Sequence, residues 1–287
     1  MSFVANALAA YHRSGLRGSH RLTGLLADRL DSLQHTPVET ENGIVYVDLR
    51  IASARAILAD PASHTGEVRV IHSFLKPGDT AYDIGAHFGV YTLLISRCVG
   101  SDGGVIAFEP NPGILPSLRK TLSNVPNIRL FDYALSNADA TLDFFVPEDA
   151  SMASFENWTD GSGGRVHKVS CETRRLDDLI NAGLPMPDFV KCDVEGAELL
   201  IFDGGRIAFD RKDAPVILFE IVRRAAAAFG NAPADYFEML RSFSDARYEF
   251  YEVLPKGMSP LLSTDIEYAN VLAVPANRVE ECGPLLI

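Results

Sequence analysis

The sequence has little cysteine, and its thiols form no metal-binding or disulfide pattern. Cys98, Cys171, Cys192 and Cys282 are widely separated in a chain of 287 residues, and no Cys-x-x-Cys spacing occurs. A zinc site or a disulfide framework is therefore not indicated. We expect reduced thiols and a cytoplasmic location.

Basic residues and long apolar runs are also scarce. Lysine and arginine total 26 against 38 aspartate and glutamate residues, a formal net charge of −12. Such a chain repels polyphosphate, so we expect no nucleic-acid partner. No apolar run approaches the ~20 residues that a membrane helix needs, and the first ten residues lack a basic, apolar leader. We therefore expect no membrane partner and no signal peptide.

The chain is nevertheless rich enough in apolar side chains, 47 % of the total, to form one core and a small appended unit. Residues 1–66 are predicted to form an N-terminal extension that caps the site or joins two copies of the chain in a homodimer. Residues 67–287 are predicted to form one domain. The irregular segment 147–164 is predicted to be a surface loop that closes over the site together with the extension.

From residue 67 onward, short apolar runs alternate with segments of helical period. Strands are predicted at residues 80–84, 105–108, 128–133, 166–171, 189–192 and 216–219. The alternation is typical of βαβ units and predicts an α/β fold with a parallel sheet. Two last strands, at 248–254 and 271–274, predict an antiparallel hairpin, which a pure dinucleotide-binding fold normally lacks.

The segment YDIGAHFG, residues 82–89, places two glycines where the first strand of this series turns into a helix. Gly85 and Gly89 let a ligand approach the backbone closely. The spacing differs from the dinucleotide fingerprint G-x-G-x-x-G, and Asp83 disfavours a phosphate. S-adenosylmethionine carries an ammonium, a sulfonium and a carboxylate, so an acid and free glycine amides suit it. The charge therefore favours this cofactor.

Two further acids follow the ends of the next two strands. Glu109, in AFEPNP, is placed to accept from the hydroxyls of an adenosine ribose. Asp132, in FDYALS, is predicted to accept from the adenine amino group, with the backbone of Ala134 against the ring. Each acid also has a simpler interpretation. Asp83 could be a hydrogen-bonding partner within the turn, and Glu109 and Asp132 could be solvated surface acids. Three acids at successive strand ends favour the nucleoside site.

Six segments occur in order between about Gly66 and Glu220: YDIGAHFGVYTL, VIAFEPNP, ALSN, RRLDDLI, DFVKCDVEGAELLIF and VILFE. Together they resemble the FkbM family of S-adenosylmethionine-dependent methyltransferases. The resemblance implies a Rossmann-like class I methyltransferase fold with a seven-stranded sheet, and O-methylation of a hydroxyl on a sugar or other small molecule. It also implies a set of cofactor-binding residues, namely Asp83, Gly85, Gly89, Glu109, Asn111, Asp132 and Ala134.

The segment KCDVEGAE places several charged groups at the end of a buried strand. Strand alternation directs Lys191 and Asp193 to the same face, and the following helix start brings Glu195 and Glu198 together. A structural role at the positive end of the helix is favoured for Glu198. A hydroxyl must lose its proton during methyl transfer, so a carboxylate or histidine is needed. We predict Asp193, Glu195 and His87 as the base or as positioning residues.

Alternatives remain at this level. Asp193 and Glu220 could together hold a Mg²⁺ ion that lowers the pKa of the acceptor hydroxyl, although metal-free catalysis is preferred. A non-catalytic scaffold that binds S-adenosylmethionine is a second hypothesis, which the intact acids from Asp193 to Glu198 disfavour. A nicotinamide-dependent oxidoreductase is a third, disfavoured by the glycine spacing and by Asp83.

Overall fold

The structure of the protein is a computed structural model that describes residues 3–13, 19–60, 65–159 and 165–287. Within these ranges, an eight-stranded central sheet is accompanied by a three-stranded sheet and a two-stranded hairpin. None of the helices in the described ranges combines the length and the apolar character needed to cross a bilayer.

Strands and helices are numbered along the chain. The strands are β1 (Thr36–Thr40), β2 (Gly43–Val47), β3 (Thr80–Ile84), β4 (Gly104–Phe108), β5 (Ile128–Phe131), β6 (Ala134–Ser136), β7 (Ala140–Pro147), β8 (Val166–Arg175), β9 (Phe189–Cys192), β10 (Val216–Val222), β11 (Tyr248–Leu254), β12 (Gly257–Pro260) and β13 (Tyr268–Pro275). The α-helices are α1 (Phe3–Arg13), α2 (Ser19–Ala27), α3 (Ala52–Ala59), α4 (Thr65–Phe74), α5 (Val90–Val99), α6 (Leu115–Leu122), α7 (Leu176–Asn181), α8 (Glu198–Gly204), α9 (Arg206–Phe209), α10 (Arg223–Ala228) and α11 (Pro233–Arg241). Short 3₁₀ helices cover Asp31–Leu33, Ala150–Met152 and Ala276–Leu285.

The central sheet has the strand order β12-β11-β13-β10-β9-β3-β4-β5. Strands β10, β9, β3, β4 and β5 are parallel, whereas β13 is antiparallel to both β10 and β11. The predicted α/β fold, with a mainly parallel sheet and an antiparallel C-terminal pair, is confirmed. There are eight strands rather than seven, because β12 pairs with the edge of β11. Its four residues include Gly257 and Pro260, so the sequence of β12 lacks the alternation of apolar residues that predicts a strand.

The three-stranded sheet has the order β6-β8-β7. Sequence analysis assigned residues 166–171 to the alternating series, but this strand continues to Arg175 and belongs to the separate sheet. Strand β7 pairs with it along eight residues and was not predicted, since most of its side chains are partly exposed. The predicted loop 147–164 contains a 3₁₀ helix at Ala150–Met152. Its residues 160–164 lie outside the described residues.

The N-terminal extension packs against helix α6. The backbone N–H of Tyr46 donates to Thr121 Oγ1 at 2.9 Å, and Lys120 Nζ lies 4.3 Å from the centre of the Tyr46 ring. Strand β1 and helix α3 were not predicted. Helix α3 reaches the site described below, which agrees with a capping role for the extension. The homodimer stays a prediction.

Apolar side chains pack on both faces of the central sheet. On one face, Tyr82 of β3 shares a core with Leu199 of α8. On the other face, Ala81 of β3 shares a core with Leu94 of α5. Because β3, β4, β9 and β10 are parallel, the turns that follow them meet at one edge of the sheet, where ligands of open α/β sheets bind.

Candidate active site

The glycine loop after β3 is shaped by two residues in the left-handed region. Gly85 and Gly89 both have φ of +87°. A Cβ at Gly85 would press into the backbone oxygen of Asp193, and one at Gly89 would lie 2.9 Å from Leu118 Cδ1. The backbone N–H groups of Gly85 and Ala86 both donate to the Phe108 oxygen at 3.0 Å. Glycine at these positions therefore lets the loop fold closely over the ends of β4 and β9.

Asp83 lies behind this loop and is fully buried. Its Oδ2 accepts from Thr92 Oγ1 at 2.5 Å, and no described residue bonds to its Oδ1. Burial raises the pKa of the Asp83 carboxyl, against the attraction of Lys191. The acid therefore ties the end of β3 to helix α5, on either side of the glycine loop.

Glu109 joins the glycine loop to the turn after β4. Its carboxylate accepts from the backbone N–H of His87 and of Asn111, each at 2.8 Å. Burial raises the pKa of Glu109 to about 7. Asn111 Oδ1 in turn accepts from the Gly113 N–H at 3.0 Å. Each oxygen of Glu109 keeps a lone pair, so the carboxylate can still accept from two hydroxyls of a ligand.

His87 projects from the loop toward the N-terminal extension. Its Nε2 lies 3.3 Å from Ser53 Oγ of helix α3, and its ring packs edge-on against Phe88. Burial lowers the pKa of the His87 ring to about 4. The imidazole is therefore neutral at physiological pH and serves better as a hydrogen-bonding group than as a charged one.

Asp193 follows β9 and is the most exposed of the acids predicted to act in catalysis. Its backbone N–H donates to the Ile84 oxygen at 3.0 Å, and its side chain is 37 % exposed. Lys191 Nζ donates to Asp193 Oδ2 at 2.9 Å and lies 4.6 Å from the centre of the Tyr91 ring. Burial lowers the pKa of Lys191, but the charges of Asp193 and Asp83 outweigh burial, and the net shift is upward. A buried ammonium therefore holds two carboxylates.

Glu198 fixes the turn between β9 and α8. Its Oε1 accepts from the N–H of Val194 and of Gly196, at 3.2 and 3.4 Å, and its Oε2 accepts from the Tyr236 hydroxyl at 3.3 Å. Burial raises the pKa of Glu198 to about 7. These contacts agree with the structural role that the sequence favoured for this residue.

Glu195 stands at the tip of the same turn. It and His87, with φ of 56° and 51°, are the two non-glycine residues with positive φ in the described part of the chain. Such strain gathers at functional sites. Glu195 Oε2 is buried, and no described residue bonds to it. Burial and the charge of Asp193 raise the pKa of Glu195.

Glu220, on β10, adds a third carboxylate. One oxygen of each of Asp193, Glu195 and Glu220 lies within 4.8 Å of the others. Burial and the charge of Asp193 raise the pKa of Glu220, while a hydrogen bond with Tyr268 of β13 opposes the rise. Oxygen ligands so placed can hold Mg²⁺, although exposed acids often converge without a metal.

Two adjoining cavities open at this edge of the sheet. The large cavity, of about 390 Å³, is walled chiefly by Ser53, Ile57, Glu67, Tyr91, Lys191, Glu220, Tyr268 and Asn270. The small cleft, of about 60 Å³, is walled chiefly by Phe108, Glu109, Ala134, Leu135, Phe144, Phe155 and Ala197. The two share Gly85, His87, Ser151, Asp193 and Glu195. The small cleft is thus apolar apart from Glu109 and the shared wall, whereas the wall of the large cavity carries several charged side chains.

The structure brings six of the predicted site residues to the cavity walls: Gly85, His87, Glu109, Ala134, Asp193 and Glu195. Asp83, Gly89 and Asn111 lie behind those walls, so they can act only through the loop and turn that they support. The prediction for Asp132 is not supported by this geometry. Its side chain is 58 % exposed and pairs with Arg119 at 2.8 Å, because β5 ends at Phe131 and the next residue turns outward.

Sequence reasoning missed several wall residues. Ser53 and Tyr268 lie far from every motif, in α3 and β13, and no local pattern marks them. Phe144 belongs to the unpredicted strand β7, whereas Phe155 falls in the segment 147–164 that was predicted to close over the site. Tyr91 stands within the YDIGAHFGVYTL segment, where its position directly after the loop was the one available signal.

Comparison with known proteins decides the family. The profile of the Methyltransferase FkbM domain matches residues 83–250, more than half of the chain. The chain belongs to the FkbM methyltransferase family. It is accordingly a methyltransferase whose cofactor is S-adenosylmethionine. The resemblance noted from the sequence motifs is confirmed.

Two relatives of this FkbM methyltransferase have curated names. Hexuronic acid methyltransferase AglP of Haloferax volcanii is 29 % identical over 144 residues, which cover 48 % of this chain and 56 % of that protein. The chain thus spans little more than half the length of AglP. The 2-O-methyltransferase NoeI of Sinorhizobium fredii is 27 % identical over 182 residues, 58 % of this chain and 74 % of that protein.

Solved structures resemble this FkbM methyltransferase more distantly. Fibrillarin of Aeropyrum pernix, crystallised with bound S-adenosylmethionine, has 13 % identity and a TM-score of 0.40 over 69 % of this chain and 67 % of that chain. An S-adenosylmethionine-dependent O-methyltransferase of Thermotoga maritima has 13 % identity and a TM-score of 0.41, over 84 % of this chain and 85 % of that chain. At these TM-scores the likeness adds nothing about substrate or mechanism.

The residues of the site fit the cofactor of the family. Glu109 offers acceptor lone pairs for ribose hydroxyls beside apolar walls suited to adenine. Gly85 lines both cavities, and without a side chain it can pack against the Asp193 backbone there. Asp193 offers negative charge where both cavities join, which suits a sulfonium and an ammonium. The buried Oε2 of Glu195 has no hydrogen-bond partner among the described residues.

Proposed function

We propose that this methyltransferase acts on a hydroxyl group of a sugar or another small molecule. The observation that carries the proposal is the position of Asp193, a partly exposed carboxylate on the wall shared by the small cleft and the large cavity. A carboxylate at that junction can take the proton of a hydroxyl held in the large cavity. The name of AglP, a hexuronic acid methyltransferase, supports a sugar as acceptor, and the name of NoeI, a 2-O-methyltransferase, supports transfer to oxygen.

When bound, S-adenosylmethionine supplies an electrophilic methyl group, which forms a bond to the acceptor oxygen as its bond to sulfur breaks and the neutral thioether leaves. The protein must hold the hydroxyl in line with that methyl group and receive its proton. We assign proton acceptance to an oxygen of Asp193, because this partly exposed carboxylate lies where the two cavities join. The proton then passes to solvent, since Asp193 is partly exposed.

Glu195 and His87 are assigned positioning roles. The pKa of Glu195 is raised by burial, so its carboxyl is protonated near neutral pH and donates a hydrogen bond. The neutral His87 ring, held near Ser53 of α3, offers a polar contact at the entrance to the large cavity. Both residues have strained backbones, which fixes their side chains relative to the sheet.

The proposal is tested with three variants and a panel of small acceptors. Asp193→Asn and Glu195→Gln are compared with Asp203→Asn, a control on α8 whose partly exposed acid pairs with Arg206. Binding of S-adenosylhomocysteine is measured by calorimetry, and methyl transfer to methyl glycosides is followed by mass spectrometry. We expect Asp193→Asn to slow transfer by about 10²–10⁴-fold with binding largely kept, as removal of a general base does.

Three results would count against the proposal. Full activity of Asp193→Asn would remove the assigned base, and a methyl group found on nitrogen or carbon of the product would remove O-methylation. Cofactor binding without turnover on any acceptor would favour the non-catalytic scaffold. Loss of turnover on adding EDTA, with recovery on adding Mg²⁺, would instead favour a metal bound by Asp193 and Glu220.

A further inference from the structure

The walls of the large cavity carry a marked excess of negative charge. Six acids line it: Asp60, Glu67, Asp149, Asp193, Glu195 and Glu220. Among the lining residues that the structure describes, Lys191 is the only lysine or arginine. His87 adds no charge near neutral pH, because burial lowers its pKa to about 4. A ligand in this cavity therefore meets a negative field, to which Glu195 and Glu220 contribute least because burial and the charge of Asp193 raise their pKa values.

The ammonium of Lys191 is already engaged. It donates to Asp193 at 2.9 Å, lies over the Tyr91 ring at 4.6 Å, and faces the buried Asp83 from the neighbouring strand. Its side chain is only 6 % exposed. An anionic ligand would have to compete with two carboxylates for this one cation.

The uncharged lining groups suit a sugar. Tyr91 and Tyr268 present aromatic rings, and Asn270 donates to Glu67 Oε1 at 2.9 Å and to the Tyr268 hydroxyl at 3.3 Å. Ligand sites for uncharged polyols combine apolar ring surface with a few polar groups that orient hydroxyls. The acids themselves accept hydrogen bonds from hydroxyls without a charge on the ligand.

We propose that the acceptor carries no anionic group, so that this methyltransferase selects an uncharged sugar and discriminates against uronic acids and sugar phosphates. The inference rests on the proposed methyl transfer to a sugar hydroxyl and adds the charge class of that sugar. Glu67 and Asp149, which both line the large cavity, act as specificity determinants. Like charge is the repulsive element that rejects the wrong substrate.

The test uses sets of three methyl glycosides that differ at one carbon. Each set contains the glycoside, the uronide with a carboxylate at C6, and the uronamide, which keeps the shape of the uronide without its charge. Gluco, galacto and manno sets are compared by methyl-transfer rate at subsaturating acceptor, after binding of S-adenosylhomocysteine has been verified. We expect the uronide to react on the order of 100-fold more slowly than the other two.

Variants of the wall separate charge from shape. Glu67→Gln and Asp149→Asn should each raise the uronide-to-uronamide rate ratio, on the order of tenfold at low salt, because each removes one repelling charge. Asp203→Asn, far from the cavity wall, should leave the ratio unchanged.

A uronide that reacts as fast as its uronamide, or a ratio that neither wall variant moves, would overturn the inference while leaving sugar methylation intact. Verified cofactor binding with no methylation in any of the nine compounds would contradict the proposed sugar acceptor, and the inference with it. These outcomes are distinct, since only the second lacks product altogether.

Discussion

Replacing Lys191 with methionine removes the one buried cation of the site while keeping most of its volume. The wild-type ammonium pairs with Asp193 at 2.9 Å and faces Asp83, which is fully buried. The variant leaves Asp83 buried without a cation and Asp193 beside Glu195 and Glu220 with no opposing charge. We expect a large loss of folding stability, because an uncompensated buried charge costs more than the lost pair itself.

The magnitude follows from the burial of the partners. Removing one member of a buried ion pair typically costs about 3–5 kcal/mol in free energy of unfolding. Asp193 is 37 % exposed and can recover water. We therefore expect about 3 kcal/mol, the lower end of that range.

The loss should depend on pH with a defined sign. Burial already raises the pKa of the Asp83 carboxyl in the wild type, and Lys191 opposes that rise. Without Lys191 the pKa of Asp83 in the folded variant should rise further above its value in the unfolded chain. A group with a raised folded pKa contributes stability at low pH that disappears as the pH passes through the folded pKa. The difference in free energy of unfolding between wild type and Lys191→Met should thus be larger at about pH 8 than at about pH 5.

Urea unfolding followed by circular dichroism measures this difference, with Lys168→Met as the matched control. Lys168 on β8 pairs with Asp143 at 2.6 Å, but both side chains are 58 % exposed. Such a surface pair is worth about 0–1 kcal/mol. Equal losses for the two variants, or a loss at Lys191 that does not grow with pH, would refute the reasoning.

Two further predictions concern the cofactor site. Gly85→Ala should abolish binding of S-adenosylhomocysteine in calorimetry and lower the melting temperature, because its Cβ meets the Asp193 backbone. The control Gly78→Ala, with φ of +95° and open space around it, should cost only the backbone strain. Similar melting temperatures for the two variants would contradict this prediction. Glu109 has a pKa raised to about 7 by burial, so affinity for S-adenosylhomocysteine should rise by about tenfold between pH 6 and pH 8 as the carboxyl ionises. Glu109→Gln should bind weakly and without that rise; an unchanged pH profile in this variant would assign the titration to another group.

The parts of the site that could be predicted from the sequence are local in the chain. Gly85 and Gly89 mark a strand-to-helix turn whose positive φ angles follow from the absence of a side chain. Glu109 follows its strand directly, and Asp193 and Glu195 follow theirs. For these residues, a strand end fixes the edge of the sheet on which the side chain emerges, so position in the sequence is enough.

Features that depend on contacts between distant parts of the chain were predicted less successfully. Asp132 also follows a strand, yet it points outward and pairs with Arg119. Strand β7 and helix α3 were missed, and with them the part of each cavity wall that Phe144 and Ser53 form. The strand order was not read from the sequence either, because pairing between β3 and β9 joins segments more than 100 residues apart.

The sequence alone determined the family, the cofactor loop and the acids available for chemistry, since each depends on residues that are neighbours in the chain. The tertiary structure alone decided which charges meet. The register of β3 and β9 sets Asp83 beside Lys191, and the pairing of β10 with β13 brings Tyr268 to Glu220. Electrostatic interactions act through space, so their partners follow from the packing of strands rather than from the order of residues.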